Sequence, residues 1–505
     1  MSQRDHMHNP ILGIDFGTTK SCIAKWDGSG PSIYTLSNGQ PILPTVLYYD
    51  DKKDSFLVGT EAIQEGNRNP DNLIDKIKKS LEDSSEKIKV GNREFGPIIL
   101  VKEILAELRA EAKKIVPANK FKPQGVVVTV PYYFKEQQRK NTDAAARLAG
   151  LGSIKIILEP IAAALSHLLK MKNEGGLEAL DKPKKFLVFD LGGLTLDITL
   201  FELRVNRDKN LNFEVINTGG DKTIGGQYFD ELIIEYIKQR ENLAAPRAEG
   251  RRNRFRRETY SKRDEYYLRE ACIKAKESLG SARRTTAYLS APYLFDEEGP
   301  TLEFTLQEMN ELLSPALDRI KGILDDTLRN SKLTDDDIDI ILKVGGSSKL
   351  KLISSYLTER FGDKIYGDDP GTSVAKGAAI YGAILEKDFD LGGQIIIKER
   401  TIHSIGVEIE NGQYFPIIPS NSTLPTKHTT TFTPDVDGIN SLTINFFQES
   451  LDKNSKIAVC KLSGLPKLTA GELSIEITIM VEIDKKIGID VKPVGINCDK
   501  EMEWI

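Results

Sequence analysis

The chain has 505 residues, and domains usually hold about 100 to 200, so two to four folded units are expected. With 40% hydrophobic and 28% charged residues, the composition is that of a globular protein and excludes a mostly disordered chain. A formal net charge of −5 argues against broad nucleic-acid binding.

In chain order, Met1 to Pro10 is polar and lacks the apolar core of a signal peptide. No run of about 18 apolar residues follows anywhere to span a bilayer. The four cysteines, Cys22, Cys272, Cys460 and Cys498, form no C-x-x-C pair and have no nearby histidine, so neither a metal site nor a disulfide framework is indicated. A reducing, cytoplasmic location is expected.

From Ile11 to Lys387, short β-rich runs alternate with amphipathic helical stretches at Ile98 to Val116, Lys135 to Leu151 and Ile161 to Lys172, the texture of an α/β unit. One basic window, Arg247 to Arg263, reads as a solvated surface helix, with a contact to RNA or a ribosome as the alternative. A Gly-containing break at Phe389 to Gly393 and the apolar run Ile395-Ile396-Ile397 separate this unit from the tail. The expected division is 1–386, a linker over 387–400, and 401–505. In the tail, Leu442, Ile444 and Phe446 alternate with polar or outward positions, as do Leu473, Ile475, Ile477 and Ile479, and Pro and Gly punctuate the runs. A small β-sandwich is expected.

The most informative feature is an internal near-repeat. Ile11-Leu12-Gly13-Ile14-Asp15-Phe16-Gly17-Thr18-Thr19 is echoed by Phe186-Leu187-Val188-Phe189-Asp190-Leu191-Gly192-Gly193-Leu194-Thr195. Each copy is a buried strand, an Asp, a tight Gly-containing turn and a Thr, followed by a second apolar strand. Such a hairpin turn brings backbone N–H groups to an anion without a Cβ in the way, and the Thr hydroxyls add donors. Two Asp residues facing one another across a cleft could hold a hydrated Mg²⁺, which takes only one or two carboxylates. One D-x-G turn alone reads as an ordinary hairpin; two copies about 175 residues apart point to a phosphate cleft. Two more glycine sites join the set, Gly345-Gly346-Ser347 after an apolar strand and Gly225-Gly226 before a helix beginning near Phe229.

These segments resemble the seventy-kilodalton heat-shock chaperone family from Ile11 to about Leu385. Gly13 to Thr19 is similar to its first phosphate loop, Val128 to Arg139 to its proline-switch strand, and Glu159-Pro160 with Ala162-Ala163-Ala164 to the segment carrying its catalytic glutamate. The tail resembles its peptide-binding sandwich at Thr401 to Glu408 and Leu424 to His428. The resemblance implies an actin-like, two-lobed ATPase domain followed by a small β-sandwich, with ATP and Mg²⁺ as cofactors. It assigns Asp15 and Asp190 to the water-mediated metal contact, Glu159 to the attacking water, and Thr195 and Asp197 to phosphate-side support. Nucleotide contacts fall on Gly17, Thr18, Thr19, Lys20, Gly192, Gly193, Gly225, Gly226, Lys276, Gly345, Gly346 and Ser347. Pro131 and Arg139 become the relay to the second unit, and Phe432, Leu442 and Ile444 the peptide pocket. Read without the family, those three are sandwich core.

The departures from the family cluster at the chemistry. Ile63 stands where the family's γ-phosphate lysine is expected in the segment from Gly59 to Asn69-Pro70, and no nearby lysine substitutes. Leu194 replaces a glycine in the second turn, which would strain a positive-φ conformation. Ile273, Gly280 and Gly371 replace polar family residues, Glu410 replaces an apolar arch residue, and Lys398 and Glu399 interrupt the linker. The helical lid is expected to be missing.

Two functions are therefore weighed. One is an ATP-binding scaffold or co-chaperone partner with weak or absent hydrolysis, since loss of one positioned donor at a developing charge costs about 10²–10³ in rate. The alternative is an active chaperone that cycles binding of unfolded peptides and answers to a J-domain partner. A sugar or acetate kinase on the same fold would not need the sandwich tail.

Overall fold

In a computed structural model, the described residues are 10–505 apart from 83–85, 116–124, 176–179, 181, 242–261, 281–282, 291–301, 368, 392, 402, 450–454 and 483–485. Most of the basic window at residues 247–263 therefore lies outside the described residues.

Two six-stranded sheets share one plan. In the first, Ile11–Asp15 pairs antiparallel with Lys20–Trp26 and parallel with Val126–Val130, which pairs parallel with Lys155–Leu158. In the second, Lys184–Leu191 pairs antiparallel with Leu196–Val205 and parallel with Ile340–Val344, which pairs parallel with Ile365–Tyr366. The near-repeat in the sequence is thus a repeat of topology. The central parallel strand Val126–Val130 is buried throughout, as a strand covered on both faces must be, and its sequence VVVTV supplies the continuous apolar run.

Helices Pro97–Ile115, Glu136–Leu148 and Glu159–Asn173 occupy the three helical stretches expected from periodicity. Helix Ser373–Leu385 lies against Glu159–Asn173 and the first hairpin at backbone contact. A Cβ on Gly377 would fall 1.7 Å from the carbonyl oxygen of Ala162, and one on Gly13 would fall 2.2 Å from the nitrogen of Ala379. This close approach fixes helix Glu159–Asn173, whose first residue is Glu159, against the first hairpin.

Three apolar clusters form. One is centred on the first sheet, one on the second sheet with helix Leu306–Asn330, and one between the sheets of the tail. The tail is a sandwich of five strands, in the order Gln413–Ile418, Ile405–Ile409, Ser441–Gln448, Lys456–Ser463 and Asp499–Trp504, facing three, Thr426–Phe432, Ile475–Val481 and Ile487–Pro493. Ile475, Ile477 and Ile479 are buried in it, as the period-two pattern requires. Between the units, Ile395–Lys398 adds in parallel to Leu211–Glu214 and becomes an edge strand of the second sheet. Among the described residues no helix is long and apolar enough to cross a membrane.

Candidate nucleotide cleft

The two phosphate-type turns meet. A Cβ on Gly193 would lie 2.4 Å from Cγ2 and 2.5 Å from Oγ1 of Thr19, so the second turn packs directly on the first. Thr45 Oγ1 donates to the carbonyl of Gly17 (3.0 Å) and steadies the first turn. The second turn is tied to both remaining glycine sites. Gly226 N–H donates to the carbonyl of Gly192 (3.0 Å) and Gln227 N–H to that of Gly193 (2.7 Å). Ser347 Oγ also donates to the Gly192 carbonyl (2.8 Å). A Cβ on Gly345 would fall 2.6 Å from Oδ1 of Asp190. Lys276 Nζ donates to the carbonyl of Gly226 (2.9 Å) and pairs with Asp230 at 2.7 Å. Lys20, exposed, reaches across to Glu277 at 2.8 Å. The four glycine sites singled out in the sequence therefore converge on one region between the two sheets.

The floor of the cleft is acidic. Burial is the main cause that pushes Asp15 up to about 7; the Glu159 carboxylate adds to it, while Lys78 and the hydroxyl of Thr129 oppose it. Asp197 is also pushed up to about 7, again chiefly by burial, with its hydrogen bond from Thr195 working the other way. Asp190 is raised well above the ordinary carboxylate range by burial and by Glu159, Asp197 and Asp15. Thr195 Oγ1 donates to Asp197 Oδ2 at 2.8 Å, and Thr129 Oγ1 lies 3.4 Å from Asp15 Oδ1. Carboxylates that penalise one another in this way are the electrostatic setting that a bound divalent cation relieves. Among the described residues no three His, Cys, Asp or Glu side chains converge as direct ligands, so the donor set fits a hydrated Mg²⁺ better than a caged metal.

A lysine that the sequence reading did not single out meets Glu159. Lys78 Nζ donates to Glu159 Oε1 at 2.8 Å, and the two side chains are only 4% and 12% exposed. The ammonium lies 5.7 Å from the ring of Phe16 and 5.6 Å from that of Phe134, both within cation–π range. Ile63 sits on helix Thr60–Gly66, where its carbonyl faces the hydroxyl of Tyr266 (3.4 Å). In the sequence Lys78 is one charge among Asp75, Lys76 and Lys79; the signal available was its place between buried Ile77 and Leu81.

The expected strain at Leu194 is absent. Leu194 is not among the described non-glycine residues with positive φ. The close approach falls instead on Gly225, whose added Cβ would lie 2.5 to 2.7 Å from the backbone of Leu194 and Gly193. The sequence reading also missed Thr45, Thr129 and Asp230, three buried polar residues that support groups in the cleft.

A family model described as Hsp70 protein matches residues 11–87 and 79–501. The chain belongs to the Hsp70 family. It is 30% identical over 502 residues to "Chaperone protein DnaK" of Nitrosopumilus maritimus, covering 96% of this chain and 73% of that one. Against the protein of the same name from Picrophilus torridus it is 30% identical over 502 residues, covering 96% and 76%. Against that of Thermoplasma volcanium it is 32% identical over 486 residues, covering 94% and 74%. The chain is a chaperone of the Hsp70 kind, with an α/β unit and a β-sandwich.

The positions that the Hsp70 resemblance assigned to the relay and the pocket divide unevenly. Pro131 is buried at the end of Val126–Val130, and its carbonyl accepts from Phe134 N–H (3.3 Å). Arg139 Nε donates to the carbonyl of Phe134 (3.3 Å). Arg139 and Phe134 line a cavity of about 20 Å³ against His403, Ile405, Gln448 and Val481 of the sandwich. Ile444 is 8% exposed and belongs to the sandwich core, while Phe432 and Leu442 pack half-buried at its edge. Phe432 meets Phe415 edge-on, with centroids 5.4 Å apart. Glu410 is exposed on a short turn, Glu410–Gly412.

Proposed function

We propose that the chain binds Mg²⁺–ATP in the cleft between its two sheets, hydrolyses it, and uses the result to govern peptide binding by the sandwich. The observation that carries this reading is the buried Lys78–Glu159 pair set against Asp15, Asp190 and Asp197. The scaffold reading rests on Ile63 at the position of the family's lysine; the Lys78–Glu159 pair supports the reading with turnover by placing another positive charge beside the glutamate.

Bound Mg²⁺ would neutralise charge on the transferring phosphoryl group. Glu159 orients a water and accepts its proton, and Lys78 fixes the Glu159 carboxylate and offers a positive charge beside the reacting phosphate. Asp15 and Asp190 would hold a hydrated Mg²⁺, while Thr195 and Asp197 support the phosphate side. Gly17, Thr18, Thr19, Lys20, Gly192 and Gly193 present donors to the phosphates. Gly225, Gly226, Lys276, Gly345, Gly346 and Ser347 line the side of the base and sugar. Pro131 and Arg139 carry the change to the sandwich.

Unit boundaries near 386 and 401 belong to the same reading, although residues 395–398 then act as a docked strand and not as a free tether. The peptide site is placed at Phe432, Leu442 and the 38%-exposed Phe415, with Ile444 beneath them. A cytoplasmic location is supported by the free cysteines, three of them buried. Partners are unfolded protein segments and a J-domain protein.

A second reading, in which ATP is held and the chain serves as a scaffold, is favoured by one contact, the exposed Lys20–Glu277 bridge that ties the first turn to helix Lys262–Gly280. Isothermal titration with ATP followed by single-turnover hydrolysis separates the two. Turnover accelerated by a J-domain supports the first; tight binding without turnover supports the second.

A further inference from the structure

Helix Glu136–Leu148 of the first lobe carries Arg139, and strand Ser441–Gln448 of the sandwich ends at Gln448. Both residues line the cavity of about 20 Å³ between the units. Nη2 of Arg139 and Oε1 of Gln448 are shut off from solvent, and among the described residues neither has a hydrogen-bond partner. The first is a donor and the second an acceptor, yet they do not bond to each other.

The rest of the described cavity does not serve them. Phe134, Leu424 and Ile487 give it apolar walls, and its other polar groups are directed elsewhere. Thr401 Oγ1 donates to the carbonyl of Pro419 (2.8 Å) and accepts from Ser422 N–H (2.9 Å). His403 Nε2 lies 3.0 Å from the carbonyl oxygen of Tyr133, and Glu136 lies 3.6 Å from Lys140. Arg139 directs its Nε to the carbonyl of Phe134 in its own lobe (3.3 Å).

A buried polar group left without a partner weakens the arrangement that buries it by about five- to a hundredfold, and a charged one by more. Here the loss falls on docking, because parting the sandwich from the lobe returns both groups to water. The contacts that favour docking come from residues next to the cavity lining. Lys135 reaches Glu449 (3.2 Å) and Ser455 (2.9 Å). Arg400 reaches the carbonyls of Val215 in the second sheet (2.7 Å) and Asn421 in the sandwich (3.0 Å). The junction thus pairs a rim that ties the units with a centre that opposes the tie.

We propose that Arg139 and Gln448 act as a brake on docking, holding the junction between the actin-like unit and the sandwich below its full strength. Under the reading in which nucleotide governs the sandwich, the brake keeps docking from being permanent and leaves the balance to whatever fills the cleft. That consequence rests on the proposed function; the brake itself does not. Gln448 ends the strand that carries Leu442 and Ile444, so the brake bears on the strand of the proposed peptide site.

Gln448→Met keeps the length of the side chain and removes the acceptor, so in the nucleotide-free full chain it should tighten docking. The reporter is amide hydrogen exchange of residues 395–398, the strand that pairs with Leu211–Glu214 and leads into the sandwich. Exchange there should slow by about fivefold or more relative to the parent. Arg139→Met, which removes the donor, should slow it too, and decides the question if Gln448→Met does not fold. A cavity of this size holds about one water. A water accepting from Arg139 and donating to Gln448 would turn the pair into a tie, and Gln448→Met would then speed exchange. Faster or unchanged exchange in Gln448→Met overturns the brake. Repeating the measurement with a non-hydrolysable Mg²⁺–ATP analogue separates this proposal from the proposed function. A parent whose exchange ignores the analogue sinks nucleotide control of docking, while the nucleotide-free comparison of Gln448→Met with the parent still decides the brake.

Discussion

Lys78 and Glu159, 81 positions apart, meet at 2.8 Å in a buried pair. Helix Glu159–Asn173 begins at the glutamate itself, and the lysine sits in the turn ahead of the short helix Lys79–Glu82. Removing one member of a buried pair leaves the other charge uncompensated, a cost of about 3–5 kcal/mol. The pair therefore supports the cleft as well as its chemistry.

Replacing Lys78 with Ala should lower the single-turnover rate of ATP hydrolysis by about 10²–10³, the usual effect of removing one positioned donor, with a much smaller change in ATP affinity. Ile63→Lys, which puts a lysine at the position where the family has one, should raise the rate if that position faces the reacting phosphate, and should leave it unchanged if Lys78 already supplies the charge. A Lys78→Ala rate equal to the parent's would remove the pair from the reaction.

The raised carboxyls predict how pH acts on the empty cleft. Asp15 and Asp197 bind protons up to about 7 in the folded chain and only to about 4 when unfolded. The folded state thus holds extra protons between those values. Their contribution to stability is complete below about pH 4 and is lost as pH rises through about 7. Without metal, the denaturation midpoint should fall across that window, and Asp197→Asn should flatten part of the fall. Mg²⁺–ATP binding needs the charged forms, so at about pH 6.5 it should release protons. Titration in buffers of differing ionisation enthalpy would count them.

The fold was legible where a pattern repeats. Two hairpins with Asp and Gly at matching places foretold two sheets of one topology, and period-two alternation foretold the sandwich strand Ile475–Val481. Lys78 was not legible, because a lysine among charged neighbours carries no mark of burial and its partner lies in a distant helix. Leu194 misled for a related reason: the turn's close approach is carried by Gly225, from another element. The junction at His403 and Glu449 was invisible, since it depends on how two units pack and not on either unit's periodicity.

Arg400 joins three parts of the molecule. Its carbonyl accepts from Tyr132 Oη (3.0 Å) in the first lobe, and its guanidinium reaches Val215 in the second sheet and Asn421 in the sandwich. Hydrogen bonds from charged donors contribute about 1.5–3 kcal/mol each. Arg400→Ala should weaken docking by about ten- to a hundredfold, read as faster proteolysis within 387–400. Arg400→Lys should recover little, because an ammonium cannot span both carbonyls. Wild-type resistance in Arg400→Ala would show that the strand pairing alone holds the units together.

Two adjacent glycines give the sharpest test of the cleft. A Cβ on Gly192 would meet nothing closer than the Thr195 carbonyl oxygen at 3.8 Å, an ordinary contact. On Gly193 it would fall 2.4 and 2.5 Å from Thr19 Cγ2 and Oγ1 and 3.0 Å from Cβ. Neither residue has a positive φ, so the difference is purely one of space. Gly192→Ala should therefore fold and bind ATP much as the parent does. Gly193→Ala must push the two phosphate turns apart, at about 1–3 kcal/mol of overpacking. The same displacement moves the backbone donors of both turns off a common phosphate, so ATP affinity should drop by about tenfold or more. Thr19→Ala removes the two closest atoms, so in that background the stability cost of Gly193→Ala should shrink, a coupling that a double-mutant cycle measures directly. Equal ATP affinities for Gly192→Ala and Gly193→Ala, or additive stability effects at Gly193 and Thr19, would mean that the two turns do not share a ligand across that contact.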